Sequence, residues 1–543
     1  MMVNLRINLT IFLLLIGLAS QVIAQKHLPV LKKEDGKHTF YVDGKPFLIL
    51  GAQLWNSSAW PSVTDKFWDQ AKELGCNTIE APIYWQNIEP SPGEFNFKEL
   101  DHLILSARES GFRLVLLWFG SYKNGRSQYA PPWVLENTEK YPRMKNAAGN
   151  DIYVLSAVSE TNLEADKHAF VEVMKHIREI DKDHQTVIMM QVENEPGSMW
   201  TDRDYSDKAN ELFNSHVPQF ILKKLDKEDG TWEQAFGIDA PEAFNAWCIS
   251  GYIDEIAEAG RKVYNLPMYA NVWIRENAFE RPGEYPSGGP TSNMIPIWKA
   301  NAPNLDLLAL DVYHGNVNIF NDLCEKYNRS DNALFIPEMG NGDNFARFQF
   351  YAIGNYGAIG VAPYGIDPFH RDPRDLRDQI KLDKKFDGIA KNYNLLSKAI
   401  YPISQLQGTD KLKAVGEEEG MSEKLLRLEN YDLLLSFGYP TYKDRNRRTG
   451  RVLVGQTGED EFLLIGFDTK FEFRPSFGSP YNNVEFVLVE EGYFEGEKFV
   501  RERIWNGDAL YHSTLPPEGA VLKIKLRRVE SSEQRKEKAN FDK

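Results

Sequence analysis

Eight short runs of apolar residues, each followed by a polar stretch of helical character, constrain this chain more than any other feature. They fall at residues 47–52, 78–83, 113–119, 187–192, 268–272, 307–312, 333–336 and 358–362. Each run is nearly continuous in apolar residues, the pattern of a strand buried on both faces. The stretch TDKFWDQAKELG, residues 64–75, illustrates the intervening segments. It has a threonine to cap its start, Phe67, Trp68, Ala71 and Leu74 on one helical face, and glycine at its end. Strand and helix units alternating in this way predict an α/β chain built as a (β/α)8 TIM barrel. A doubly wound open sheet is the alternative that the same pattern allows.

From about Tyr401 the texture changes to alternating segments such as YDLLLSFGYP, EFLLIGFDTKFEF and AVLKIKLRRVE, separated by Gly, Pro, Asn and Asp. Antiparallel strands read this way, so a C-terminal antiparallel β-sandwich-like domain is expected after the barrel. At the other end, Arg6 precedes an apolar stretch that leads to the small residues around Ala24, the form of a cleaved secretory signal. The expected division is a signal peptide at 1–24, a catalytic barrel at 25–400, a β-rich accessory domain at 401–530 and a disordered, charged tail at 531–543. Export to a bacterial periplasm or cell surface follows from the signal. The three cysteines, Cys76, Cys248 and Cys324, lie too far apart to suggest a zinc site or a disulfide framework. No later apolar run is long enough for a membrane span. A net charge of −15 argues against nucleic acid and anionic membranes as partners.

Function is concentrated where the apolar runs end. IMMQVENEPGS, residues 188–198, sets Glu193 and Glu195 either side of Asn194 directly after the fourth run, and ALFIPEMG sets Glu338 just past the seventh. In a barrel all three carboxylates stand at the C-terminal rim, where active sites are built. On an extended strand Glu193 and Glu195 would share a face, with Asn194 opposed, but extension often stops at a strand end. Two carboxyls facing one another across the mouth are what glycoside hydrolysis uses: one protonates the leaving oxygen while the other attacks the anomeric carbon. That chemistry needs no metal and no cofactor. Two long insertions, after the third and fourth runs, would rise from the same rim.

QVENEPGS, IPEMG and above all NTIEAPIYWQNIEPSPGEFNF, residues 77–97, resemble the family 35 β-galactosidases, whose retaining mechanism places the acid/base after strand four and the nucleophile on strand seven. The resemblance covers about residues 40–369, and the β-rich region looks like the accessory domain of a bacterial subgroup. It implies Glu195 as acid/base, Glu338 as nucleophile, and Asn194 as a residue binding the sugar's 2-hydroxyl. Like charge near Glu195 is expected to keep it protonated before sugar binds, and Glu193 is expected to support the site by hydrogen bonding. Further candidates for substrate binding are Tyr313, Trp118, Glu80 and Asn124, each weighed against a packing or loop role; for Glu80 and Asp311 a buried ion pair to Lys or Arg is the bland reading. Trp85 and Trp133 are weighed in the same way.

The family's Pro-Gly-Pro-Tyr stretch and its Cys-Ala-Glu are replaced here by WFGSYKNGRS, and its second-strand tyrosine by Pro82. Those departures concern the grip on galactose. The expected activity is a retaining exo-β-galactosidase acting on galactosides of plant polysaccharide or glycan side chains. A related β-glycosidase taking glucosides, arabinosides or fucosides is the enzymatic alternative, and a noncatalytic carbohydrate-binding protein the alternative from another class. The expected partner is a carbohydrate, and a homo-oligomer stays open.

Overall fold

The structure, a computed structural model, describes residues 27–367, 384–437 and 449–530. The expected signal peptide and charged tail lie outside the described residues. A small antiparallel sheet of β1 (Val30–Glu34), β2 (Lys37–Val42) and β3 (Lys45–Pro46) precedes the barrel. The barrel itself is closed by eight parallel strands: β4 (Ile49–Gln53), β5 (Thr78–Tyr84), β6 (Arg113–Lys123), β9 (Val187–Asn194), β10 (Met268–Val272), β11 (Leu307–Val312), β12 (Ile336–Met339) and β13 (Gly360–Pro363). Closure, with β13 pairing β4, removes the open-sheet alternative. A short hairpin of β7 (Arg143–Lys145) and β8 (Asp151–Leu155) fills the insertion after β6.

The barrel strands are buried along essentially their whole length, which is why they read as unbroken apolar runs. Two boundaries differ from expectation for local reasons. The helix expected over residues 64–75 begins at Pro61, because proline's missing N–H costs nothing in the first turn. Thr64 is then inside the helix, its hydroxyl bonded back to the Trp60 carbonyl. Gly75 ends it in the left-handed region, φ 79°, donating to the Ala71 and Lys72 carbonyls. The seventh barrel strand starts at Ile336 rather than at 333, with a bulge before Met339. Pro337 has no N–H to give that ladder. Glu338 therefore sits within the strand, register-paired with Asp311 on β11.

Beyond the last barrel helices the described residues form nine antiparallel strands in two sheets. The larger has the order β14 (Leu412–Gly416), β17 (Arg451–Gly458), β18 (Glu461–Phe467), β22 (Ala520–Glu530), β20 (Tyr481–Glu495), β21 (Lys498–Ile504). The smaller has the order β15 (Glu423–Arg427), β16 (Tyr431–Ser436), β19 (Lys470–Pro475). A separate core forms from the alternate residues Tyr431, Leu433 and Leu435 of β16 packed with Phe462, Leu464, Phe471 and Ile524. The larger sheet also joins the barrel. Asn355, on the helix Ala346–Tyr356, exchanges two hydrogen bonds with the backbone of Ala414. The same helix carries Gly354, where a Cβ would stand 2.6 Å from the Leu453 side chain and 2.7 Å from the Ala414 Cβ, so side chains of the sheet pack directly on the helix backbone. Among the described residues no helix is long and apolar enough to cross a membrane.

Candidate active site

The end of β9 does not continue as an extended strand. Glu193 and Glu195 have φ of 64° and 43°, left-handed values uncommon for residues with a Cβ, and Asn124 on the neighbouring loop has 53°. These turns send the three side chains to three places. Glu193 points sideways to accept the backbone N–H groups of Ser121 at 3.1 Å and Tyr122 at 2.6 Å. Asp166 lies beside it, and burial, then this like charge, push the Glu193 carboxyl well up, against the two backbone N–H groups that favour its charged form. The arrangement clamps the end of β6 to β9. Gly120 permits it, since a Cβ there would come within 2.4 Å of the Trp118 indole and 2.6 Å of Glu193.

Asn194 points into the mouth, donating from Nδ2 to Glu338 Oε1 at 3.2 Å and accepting from Lys123 Nζ at 2.7 Å. Glu195 lines the cavity. Its backbone N–H is fixed by Asn271 Oδ1 at 2.8 Å, and its Oε2 accepts from Asn124 Nδ2. Glu338 accepts from three donors: Gln53 Nε2 at 2.9 Å, Asn194 Nδ2, and the Tyr313 hydroxyl at 2.9 Å. Donors on both oxygens fix the direction in which the carboxylate points.

Glu195, Asp311 and Glu338 stand together, each offering an oxygen within 4.8 Å of the others. They line a cavity of about 350 Å³ at the mouth of the barrel, at the small end of the range for ligand pockets. Burial, then the charge of Glu338, raise the Glu195 carboxyl to about 8, opposed by Lys123 and by a hydrogen bond with Asp311. Asp311 is pushed well up by burial, then by Glu338 and Glu195. The cluster thus pairs a donor-rich carboxylate with a carboxyl that keeps its proton at neutral pH, the division of labour that acid–nucleophile chemistry requires.

Of the residues expected at the substrate, Asn124 and Tyr313 line the cavity with Glu195 and Glu338. Asn194 reaches it through Glu338. Trp118 and Glu80 do not line it, contrary to the sequence expectation. Trp118 is wholly buried, its Nε1 donating to Asp166 Oδ1 at 2.8 Å. Glu80 is wholly buried beneath the site, near the Tyr269 hydroxyl and raised well up by burial and then by Glu338. The expected ion pairs are missing too: among the described residues neither Glu80 nor Asp311 makes a salt bridge to Lys or Arg. Trp85 and Trp133 pack edge to face, both with their N–H groups on Glu89.

Sequence reading missed Asn56, Trp273, Glu276 and Tyr364, which also line the cavity. A usable signal was present. Each follows a barrel strand within a few residues, Trp273 and Tyr364 immediately after β10 and β13, where the rim must be.

Residues 39–282 match the family model described as Glycosyl hydrolases family 35, and residues 389–514 match a domain of unknown function, DUF5597. β-Galactosidase 17 of Arabidopsis thaliana is 27% identical over 187 residues, 34% of this chain and 25% of that protein. The β-galactosidase of Canis lupus familiaris is 29% identical over 193 residues, 34% of this chain and 26% of that protein. The chain thus spans about a quarter of the length of these curated relatives. A solved β-galactosidase from Rahnella sp. R3 superposes with a TM-score of 0.48 at 14% identity, over 66% of this chain and 57% of that one. The family 35 match ends before Glu338, so the pairing of the two carboxyls is read from the fold.

Proposed function

We infer that this chain, whose residues 39–282 match the model of glycosyl hydrolases family 35, belongs to that family and is a retaining exo-β-galactosidase acting on galactosides of plant polysaccharide or glycan side chains. The observation that carries this reading is the approach of Glu195 and Glu338 to within 4.8 Å in a cavity at the barrel mouth. Retaining glycosidases hold their carboxyls at about 5 Å, and inverting ones farther apart to admit a water. Glu338 attacks the anomeric carbon as Glu195 gives its proton to the leaving oxygen. Water then enters, loses a proton to the Glu195 carboxylate and displaces Glu338. Asn194 and Tyr313 hold the nucleophile in line through both steps, and Asn124 holds the acid. The apolar N-terminal segment supports export, and residues 25–400 and 401–530 serve as the catalytic and accessory parts.

The replacement of the family's usual loop by one placing Lys123 and Asn124 in the cavity favours a second reading, a β-glycosidase for a different sugar. Initial rates on nitrophenyl β-galactoside, glucoside, arabinoside and fucoside, with Glu338→Ala as control, decide between them. Preference for galactoside, lost in the variant, is the expected result. Preference for another sugar keeps the chemistry and overturns the substrate, and silence on all four overturns the reading.

A further inference from the structure

A third carboxyl in the cavity has no place in the two-carboxyl mechanism. Asp311 is 2% exposed and sits on β11 beside the nucleophile, in register with Glu338. Asn271 donates to its Oδ2 at 2.7 Å while holding the Glu195 backbone with its own Oδ1, so one amide sets the spacing of Asp311 and Glu195. The other oxygen, Oδ1, is buried and accepts from no amide, hydroxyl or cationic donor among the described residues, the Glu195 carboxyl being its polar neighbour. A buried carboxylate oxygen without a donor is costly. Its neighbours in the cluster are carboxyls, and a proton is what makes two carboxyls compatible at such a distance.

We propose that Asp311 is the proton partner of Glu195: it stays protonated through the cycle and donates its hydrogen bond to Glu195 whenever that carboxylate has given up its own proton. The proposal rests on the retaining reading above. In the free enzyme Glu338 is the charged member, and Glu195 and Asp311 each hold a proton. When Glu338 bonds to the anomeric carbon, the bond to the leaving oxygen breaks and the Glu195 proton goes to that oxygen. The negative charge thereby moves from Glu338 to Glu195, which Asp311 then supports. Water restores the first state, its proton going to Glu195 as the Glu338 ester opens. The cluster carries one negative charge throughout, and Asp311 never gives its proton to the substrate. Asp311 is thus a positioning residue. The titratable groups around it are Glu195, Glu338, Lys123, Tyr269, Tyr313 and Tyr327, with Glu276 acting on Glu195 from the outer lip.

The pH profile of kcat/KM on the glycoside that the wild type hydrolyses tests this. Its alkaline limb reports the free-enzyme acid. Asp311→Ala removes a donor to the ionised acid, so the limb should move up by about one pH unit. Asp311→Asn keeps a donor, and its limb should stay at the wild-type position. Were Asp311 ionised instead, both variants would remove a negative charge and move the limb down, overturning the proposal. An unmoved limb in both would make Asp311 merely structural and overturn it equally. If Asp311→Ala does not fold, infrared difference spectra of the wild type against Asp311→Asn at neutral pH should show one carboxylic-acid C=O band lost. A lost carboxylate band in its place would refute the proposal. Rescue of Glu338→Ala by azide, giving the glycosyl azide of inverted configuration, secures the retaining reading separately from either result.

Discussion

Glu195→Gln should make the protein more stable, by an amount that grows with pH. The native carboxyl holds its proton up to about 8, against an ordinary value of 4.5. Between those values the unfolded chain has lost the proton that the folded chain keeps, so this residue's contribution is fully present below about 4.5 and falls away as pH rises to 8. A gap of about 3.5 units at about 1.4 kcal/mol each sets an upper limit of about 5 kcal/mol. Asp311 and Glu338 share the same field, and relaxation among them brings the expected gain to about 2–5 kcal/mol. Glutamine cannot ionise, and its carbonyl still accepts from Asn124. Urea unfolding of both proteins between about pH 5 and pH 8.5 measures the difference. The two stabilities should nearly coincide at the acid end and diverge steadily toward alkali. A constant offset across the range would refute the reasoning, because it would mean that Glu195 ionises alike in the folded and unfolded chains.

Glu195→Ala should slow glycosides with poor leaving groups far more than activated aryl glycosides, and equal losses on both would remove Glu195 from the acid role. Tyr313→Phe takes one of three donors from Glu338 and should lower kcat by about tenfold to a hundredfold with KM little changed, read by steady-state kinetics. Trp118→Phe leaves Asp166 Oδ1 without its indole donor, so unfolding should show a loss of about 1–3 kcal/mol while KM stays put; a rise in KM would return Trp118 to the substrate. Asn355→Ala breaks both bonds to Ala414 and should cost about 1–3 kcal/mol in thermal or urea unfolding without altering sugar preference.

The eight barrel strands were legible from composition alone, because a strand covered on both faces must be apolar throughout, whatever its neighbours are. Glu193, Glu195 and Glu338 were legible as rim carboxylates for a related reason, since a carboxylate at the end of such a run has the rim as its natural place, and only the family resemblance singled out Glu195 from Glu193. The sandwich was legible in the alternation of β16, where every second residue faces the inner core.

What tertiary structure alone decided was the direction of side chains at the rim. Left-handed turns at Glu193 and Glu195 separate residues that an extended strand would have set on one face. Trp118 and Glu80 miss the cavity for a different reason: β6 runs on to Lys123 and β5 to Tyr84, so both residues lie within their strands below the rim, and strand length and register are not written locally. Asp311 shows this most sharply. In sequence it is one polar residue next to the end of an apolar run, and only the register of β11 against β12 sets it beside Glu338. Local sequence determined which residues could be strands and which carboxyls could reach the mouth. Pairing between segments far apart in the chain decided which of them share one field, because electrostatic coupling depends on distance through space.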